Sequence, residues 1–170
     1  MVTKEQALNS ILHECGVAKH LYAKIPAAKM DWRPAENMRT TLDLLRYLSY
    51  CGLGPATGIV RGNWELAKDF RVKAEKMQAH EFPRAMDAQA RSLESLFADL
   101  LPEDFEREVR FPWGAQAKLG EGLINTTLKF LTAYRMQLFL YAKIAGVKDL
   151  STMNCWMGMD TPPGGMPQRG

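Results

Sequence analysis

Residues 130–146, FLTAYRMQLFLYAKIAG, read as the second half of a long helix. Apolar residues recur three, four and seven positions apart, the repeat of a helix with one face turned inward. Gly146 closes the stretch with the residue type that most easily takes the left-handed conformation of a helix end. Traced backwards, the same period reaches about residue 118, so Leu123, Thr127, Phe130, Tyr134, Gln137, Tyr141 and Ile144 are expected on one stripe. Flanked by Ile124, Leu131 and Leu138, its Thr, Gln and two Tyr must each find a hydrogen-bond partner, because an unpaired buried polar group is costly. Helical bundles build their sites from side chains on facing helices, which makes this stripe the place to expect a pocket.

Working outward, Thr3 and Gln6 have the spacing of a capping box and open a first helix that should run to about residue 25, where Pro26 ends it. The connection IPAAKMDWRPAENM follows, with Trp32 expected to be pinned against the bundle. A second helix begins near residue 40 with Leu44, Tyr47, Leu48 and Cys51 inward, and is expected to stop at the glycines of CGLGPATG. A short charged helix over about 63–78, opened by Asn63, precedes another over about 83–101 that carries Met86, Ala90, Leu93, Leu96, Phe97 and Leu100 on one side. The segment EREVRFPWG alternates and contains Pro112 and Gly114, so it is expected to be extended. After Asp160, TPPGGMPQRG holds no core material. The expectation is one all-α domain over 1–160, a four-helix bundle with crossover connections and an additional short helix, followed by a flexible C-terminal tail over 161–170.

Composition excludes several classes. With 22 Lys and Arg against 19 Asp and Glu, interspersed along the chain, the net charge of +3 is too weak and too mixed to favour nucleic acid. No apolar run approaches the roughly 20 residues of a bilayer span and no signal-peptide pattern opens the chain, so no membrane partner and a cytoplasmic location are expected. Cys15, Cys51 and Cys155 are three, far apart and without ligand spacing, which argues for packed thiols rather than a disulfide framework or zinc finger. His13 and His20 share a helix face but stand about 10 Å apart along the axis, too far for one ion. His80 has no companion ligand nearby in sequence.

Four stretches together resemble the DinB/YfiT-like superfamily of four-helix-bundle proteins: KIPAAKMDWRP, the helix TTLDLLRYLSY, the FPWG segment, and FLTAYRMQLFLYAKIAG with Trp156 downstream. The resemblance extends to about Gly158 and implies a DinB-like bundle, frequent homodimers, and a metal held by one His of the second helix and two of the last in a pattern like HxxxHRxQ. Matched position by position, those histidines fall on Tyr47, Phe130 and Tyr134, while Arg135 and Gln137 keep the pattern's R and Q. A phenol binds a metal only after losing a proton with a reference pKa about 10, and a phenyl ring has no donor at all. No cofactor is therefore expected, and zinc or nickel least of all.

The resulting expectation is a small-molecule-binding or non-catalytic protein with a degenerate metal site and a possible small organic ligand, acting as a homodimer. Tyr47, Phe130 and Tyr134 either fill the former metal space or wall a pocket, with Cys51 and Gln137 beside them and Arg135 or Arg46 as anion partner at its mouth. Alternatives are a thiol-dependent S-transferase or metal-dependent hydrolase with an altered site, and a structural or protein-interaction role for the apolar segment around Trp156.

Overall fold

The computed structural model describes residues 2–161, so all of the expected tail beyond Thr161 lies outside the described residues. Helix α1 (Lys4–Tyr22) starts as its sequence dictates: Thr3 Oγ1 accepts from the Gln6 N–H at 3.2 Å and Gln6 Oε1 accepts from the Thr3 N–H at 3.0 Å. It ends three residues before the expected boundary, in tightened turns where the N–H groups of Lys24 and Ile25 reach back three residues. The connection packs Trp32 edge-on against Tyr141 at 5.8 Å, as expected.

The second helix differs from its expectation. Helix α2 (Thr41–Leu48) is interrupted at 49–52, and helicity resumes in α3 (Leu53–Arg61), straight through Gly54, Pro55 and Gly58. Pro55 falls in the first turn of α3, where a missing N–H costs nothing. Gly58 is small because a Cβ there would lie 2.7 Å from the Trp64 ring. The break itself is stitched by Gln89, whose Oε1 accepts from the N–H groups of Gly52 and Leu53 at 3.1 and 3.0 Å while its Nε2 donates to the Leu48 carbonyl at 2.9 Å.

Helix α4 (Glu65–Glu75) is the expected additional short helix, with Asn63 Oδ1 accepting from the Glu65 N–H at 3.0 Å. Helix α5 (Phe82–Ala98) buries Met86, Leu93, Leu96 and Phe97, with Leu100 buried just beyond its end. The segment read as extended forms β1 (Glu108–Arg110), paired antiparallel with β2 (Gln116–Lys118) so that Val109 faces Ala117. Its tip is held by Phe111 and Trp113 stacked at 4.7 Å.

The last long helix is continuous but not uniform. Between α6 (Leu119–Leu123) and α7 (Lys129–Ile144), residues Ile124–Leu128 form a π-helical turn. Such a turn takes up about one extra residue, which rotates everything after it. The residues of α7 that face the core are consequently Leu131, Arg135, Leu138 and Ala142, one position beyond the expected stripe, although Tyr141 is buried as well. Phe130, Tyr134 and Gln137 move to the flank of the buried face, and Ile144 is 62% exposed. Helix α7 closes with the Val147 N–H on the Ala142 carbonyl at 3.0 Å and the Gly146 N–H on the Lys143 carbonyl at 3.1 Å, with Gly146 at φ 103°.

Helix α1 packs against α5 and α7, α2 against α7, and α3 against α4, α5 and α6. Helix α8 (Thr152–Met157) folds back onto α1. The architecture is all-α. Among the described residues, no helix is long and apolar enough to cross a membrane.

Candidate functional site

The helical spacing of α2 and α7 brings the expected residues partly together. The rings of Tyr47 and Tyr134 meet with centroids 4.4 Å apart, and Tyr50 stands edge-on to Tyr47 at 5.3 Å. Phe130 is half-buried against the same core. Arg39, in the segment before α2, lays its guanidinium 4.5 Å from the Tyr47 ring centroid and 5.4 Å from that of Tyr134, a favourable cation–π arrangement. Burial pushes the Tyr47 phenol above its ordinary range, and the neighbouring Cys51, Tyr134 and Tyr50 act in the same direction. Tyr50 is raised too, again chiefly by burial.

Gln137 serves this arrangement indirectly. Its Nε2 donates to Tyr141 Oη at 3.1 Å, and that hydroxyl donates to the Arg39 carbonyl at 3.0 Å. The relay ties α7 to the backbone that presents Arg39.

Arg135 is not at a pocket mouth. It is fully buried, with Nε donating to Glu14 Oε2 at 2.6 Å, Nη2 to Glu14 Oε1 at 3.2 Å, and Nη1 to the Cys155 carbonyl at 2.8 Å. The phase shift at the π turn explains this: the position turned inward is 135, and a guanidinium there needs a carboxylate brought to it. Arg46 is likewise occupied, its Nε donating to the Met77 carbonyl at 3.0 Å and Nη1 to Asp43 at 3.2 Å. Arg39 is the cation that faces the tyrosines. Sequence reasoning missed it because cation–π placement across a connection leaves no periodic signal.

Cys51 is 1% exposed, and burial drives its thiol well above the ordinary thiol range. Cys15 is pushed up to about 12, first by burial and then by the Glu14 carboxylate. Such thiols are poor nucleophiles, since the thiolate is the reactive form. His13 and His20 both hold α8: His13 Nε2 lies 2.7 Å from the Trp156 carbonyl, and His20 Nε2 accepts from Asn154 Nδ2 at 3.0 Å. Among the described residues, no group of three His, Cys, Asp or Glu is placed to hold a metal ion.

Beside the tyrosine cluster opens a cleft of about 480 Å³, lined in part by Tyr50 and running between α4 and α5. Tyr47, Phe130 and Tyr134 do not line it, and neither do Cys51, Arg135 or Gln137. Its walls are mostly short of strong sequence signal, because α4 is charged and largely exposed and reads as a solvated connector.

No protein-family model matches the sequence, and no curated protein matches it by sequence. Among solved structures, the chain is similar to the crystal structure of a DinB-like protein (YjoA) from Bacillus subtilis, with TM-score 0.68 and 18% identity over 86% of this chain and 96% of that one. At that identity the likeness establishes the fold.

Proposed function

On a DinB-like fold, we propose that this protein is a non-catalytic binder of a small organic molecule that works without a metal ion. In this reading Tyr47, Phe130 and Tyr134 fill the space that metal-binding proteins of similar pattern give to histidines, and binding passes to the adjacent cleft at Tyr50. The observation that carries it is the contact of Tyr47 with Tyr134 at 4.4 Å beneath Arg39. Two phenols, one of them held protonated by burial, and a phenyl ring do not make a donor set for zinc or nickel. The guanidinium 4.5 Å from the Tyr47 ring and 5.4 Å from that of Tyr134 adds a positive charge that would repel a metal cation held between them.

The cleft of about 480 Å³ lies within the usual size of small-molecule sites. Enzymatic alternatives through Cys51 have less support, because that thiol is sealed in the core beside Leu48, with 3.9 Å from Sγ to its carbonyl.

Two measurements test the proposal. Purified protein equilibrated with zinc and nickel, then dialysed, should retain far less than one metal per chain by mass spectrometry; one equivalent, lost on Tyr47→Phe or Tyr134→Phe, overturns metal independence. In a thermal-shift panel of small carboxylates, amides and amines, compounds that stabilise the wild type should fail with Ala88→Trp, which fills the cleft from an exposed position. Stabilisation that survives Ala88→Trp overturns binding in the cleft.

A further inference from the structure

The cleft between α4 and α5 is chemically lopsided. Its floor is apolar, formed by Leu53, Phe70, Ala74, Met77 and Ala85. Its rim carries Lys73, Lys76 and Arg84 against the one carboxylate of Glu81. That carboxylate is engaged already, with Oε2 accepting from the Gln78 N–H at 2.7 Å. Nearby Glu75 is held by Arg71 at 3.0 Å, and Asp43 by Arg46 at 3.2 Å. Among the described residues, none of the three rim cations takes part in an ion pair.

We propose that this cleft binds an amphipathic organic anion, a medium-chain carboxylate whose apolar body covers the floor and whose head meets Lys73, Lys76 and Arg84. The inference rests on the reading of the protein as a metal-free small-molecule binder and adds the class of its ligand. Two independent features select that class. An apolar floor gains about fourfold in affinity for each methylene it removes from water. Three cations that form no ion pair among the described residues favour a negative head, and Arg84 offers the planar fork that matches a carboxylate. A cation would meet repulsion at the rim, and a wholly polar molecule would leave the floor unused.

Isothermal titration with octanoate, its neutral counterpart octanamide, and hexanoate tests this directly. Octanoate should bind about tenfold or more tightly than octanamide, and hexanoate should bind more weakly than octanoate by about fourfold per lost methylene. The octanoate affinity should fall as salt is raised, because the rim cations are exposed. The variant Lys73→Gln/Lys76→Gln/Arg84→Gln alters only exposed side chains and should erase the preference for octanoate over octanamide, with circular dichroism confirming the fold. Ala88→Trp should abolish binding of both. Equal binding of octanoate and octanamide, both lost in Ala88→Trp, overturns the anionic class while leaving cleft binding intact. Octanoate binding that persists in Ala88→Trp, or a tenfold preference that persists in the triple variant, overturns the assignment of the site. No octanoate binding at all overturns the ligand class.

Discussion

Arg135 is the largest fully buried side chain among the described residues, and its partner Glu14 is buried except for an edge of its side chain, which is 10% exposed. Neither charge can be removed alone without stranding the other. Glu14→Ala should therefore destabilise the protein by about 3–5 kcal/mol in guanidinium chloride unfolding, whereas Glu14→Leu/Arg135→Met, which removes both charges, should recover most of that loss. A single variant that costs under about 1 kcal/mol would show that the pair is solvated in solution. The identity of this partnership could not be read from the chain. Arg135 stood between two expected stripe residues, and only the added residue of the π turn rotates it inward. Tyr47 and Tyr134 were legible as neighbours through the family resemblance, which puts both at its metal-ligand positions; Arg39 and Glu14 were not, since what they touch lies 8 and 121 positions away in sequence or further.

At the level of elements, ends with a chemical signature were readable. Thr3 with Gln6, Asn63 and Gly146 each mark a boundary whose hydrogen bond is present in the structure. The break between α2 and α3 was readable only as a stop, because the residue that turns it into a junction, Gln89, comes from α5. A buried amide gives no periodic signal. Gln89→Leu leaves the N–H groups of Gly52 and Leu53 without partners and the Leu48 carbonyl with only the weak Cys51 thiol contact, so unfolding should show a loss of about 3 kcal/mol or more. A loss below about 1 kcal/mol would mean the junction finds other partners. Gly52 sits in the same junction for want of space, since a Cβ there would lie 2.7 Å from Leu131 Cδ1. The hairpin was half legible: alternation marked β1, while Gln116–Lys118 carries no strand signature and is extended because β1 pairs with it.

Across the whole molecule, buried thiols set a limit at high pH. Cys15 and Cys51 are both raised above the usual value of 9.0 by burial, so the folded state holds their protons more tightly than the unfolded chain. Their contribution is complete below about pH 9 and is lost as pH rises toward the folded values, at about 1.4 kcal/mol per pH unit for each thiol. The guanidinium midpoint should accordingly hold from pH 7 to 9 and fall by pH 10.5, and Cys15→Ala/Cys51→Ala should flatten that fall. An unchanged slope in the double variant would assign the loss to other groups. The bundle was foreseeable from its connections and caps, and the similarity to a solved DinB-like structure agrees with it. One feature also orders events during synthesis. Arg135 is completed by the carbonyl of Cys155, which leaves the ribosome 20 residues after it. Until α8 emerges, α7 carries a guanidinium that lacks the Cys155 carbonyl and the Trp156 ring, whose centroid lies 4.9 Å from it. A chain halted before Cys155 would leave Arg135 Nη1 without that carbonyl, and limited proteolysis should cut such a truncated chain faster than the full one.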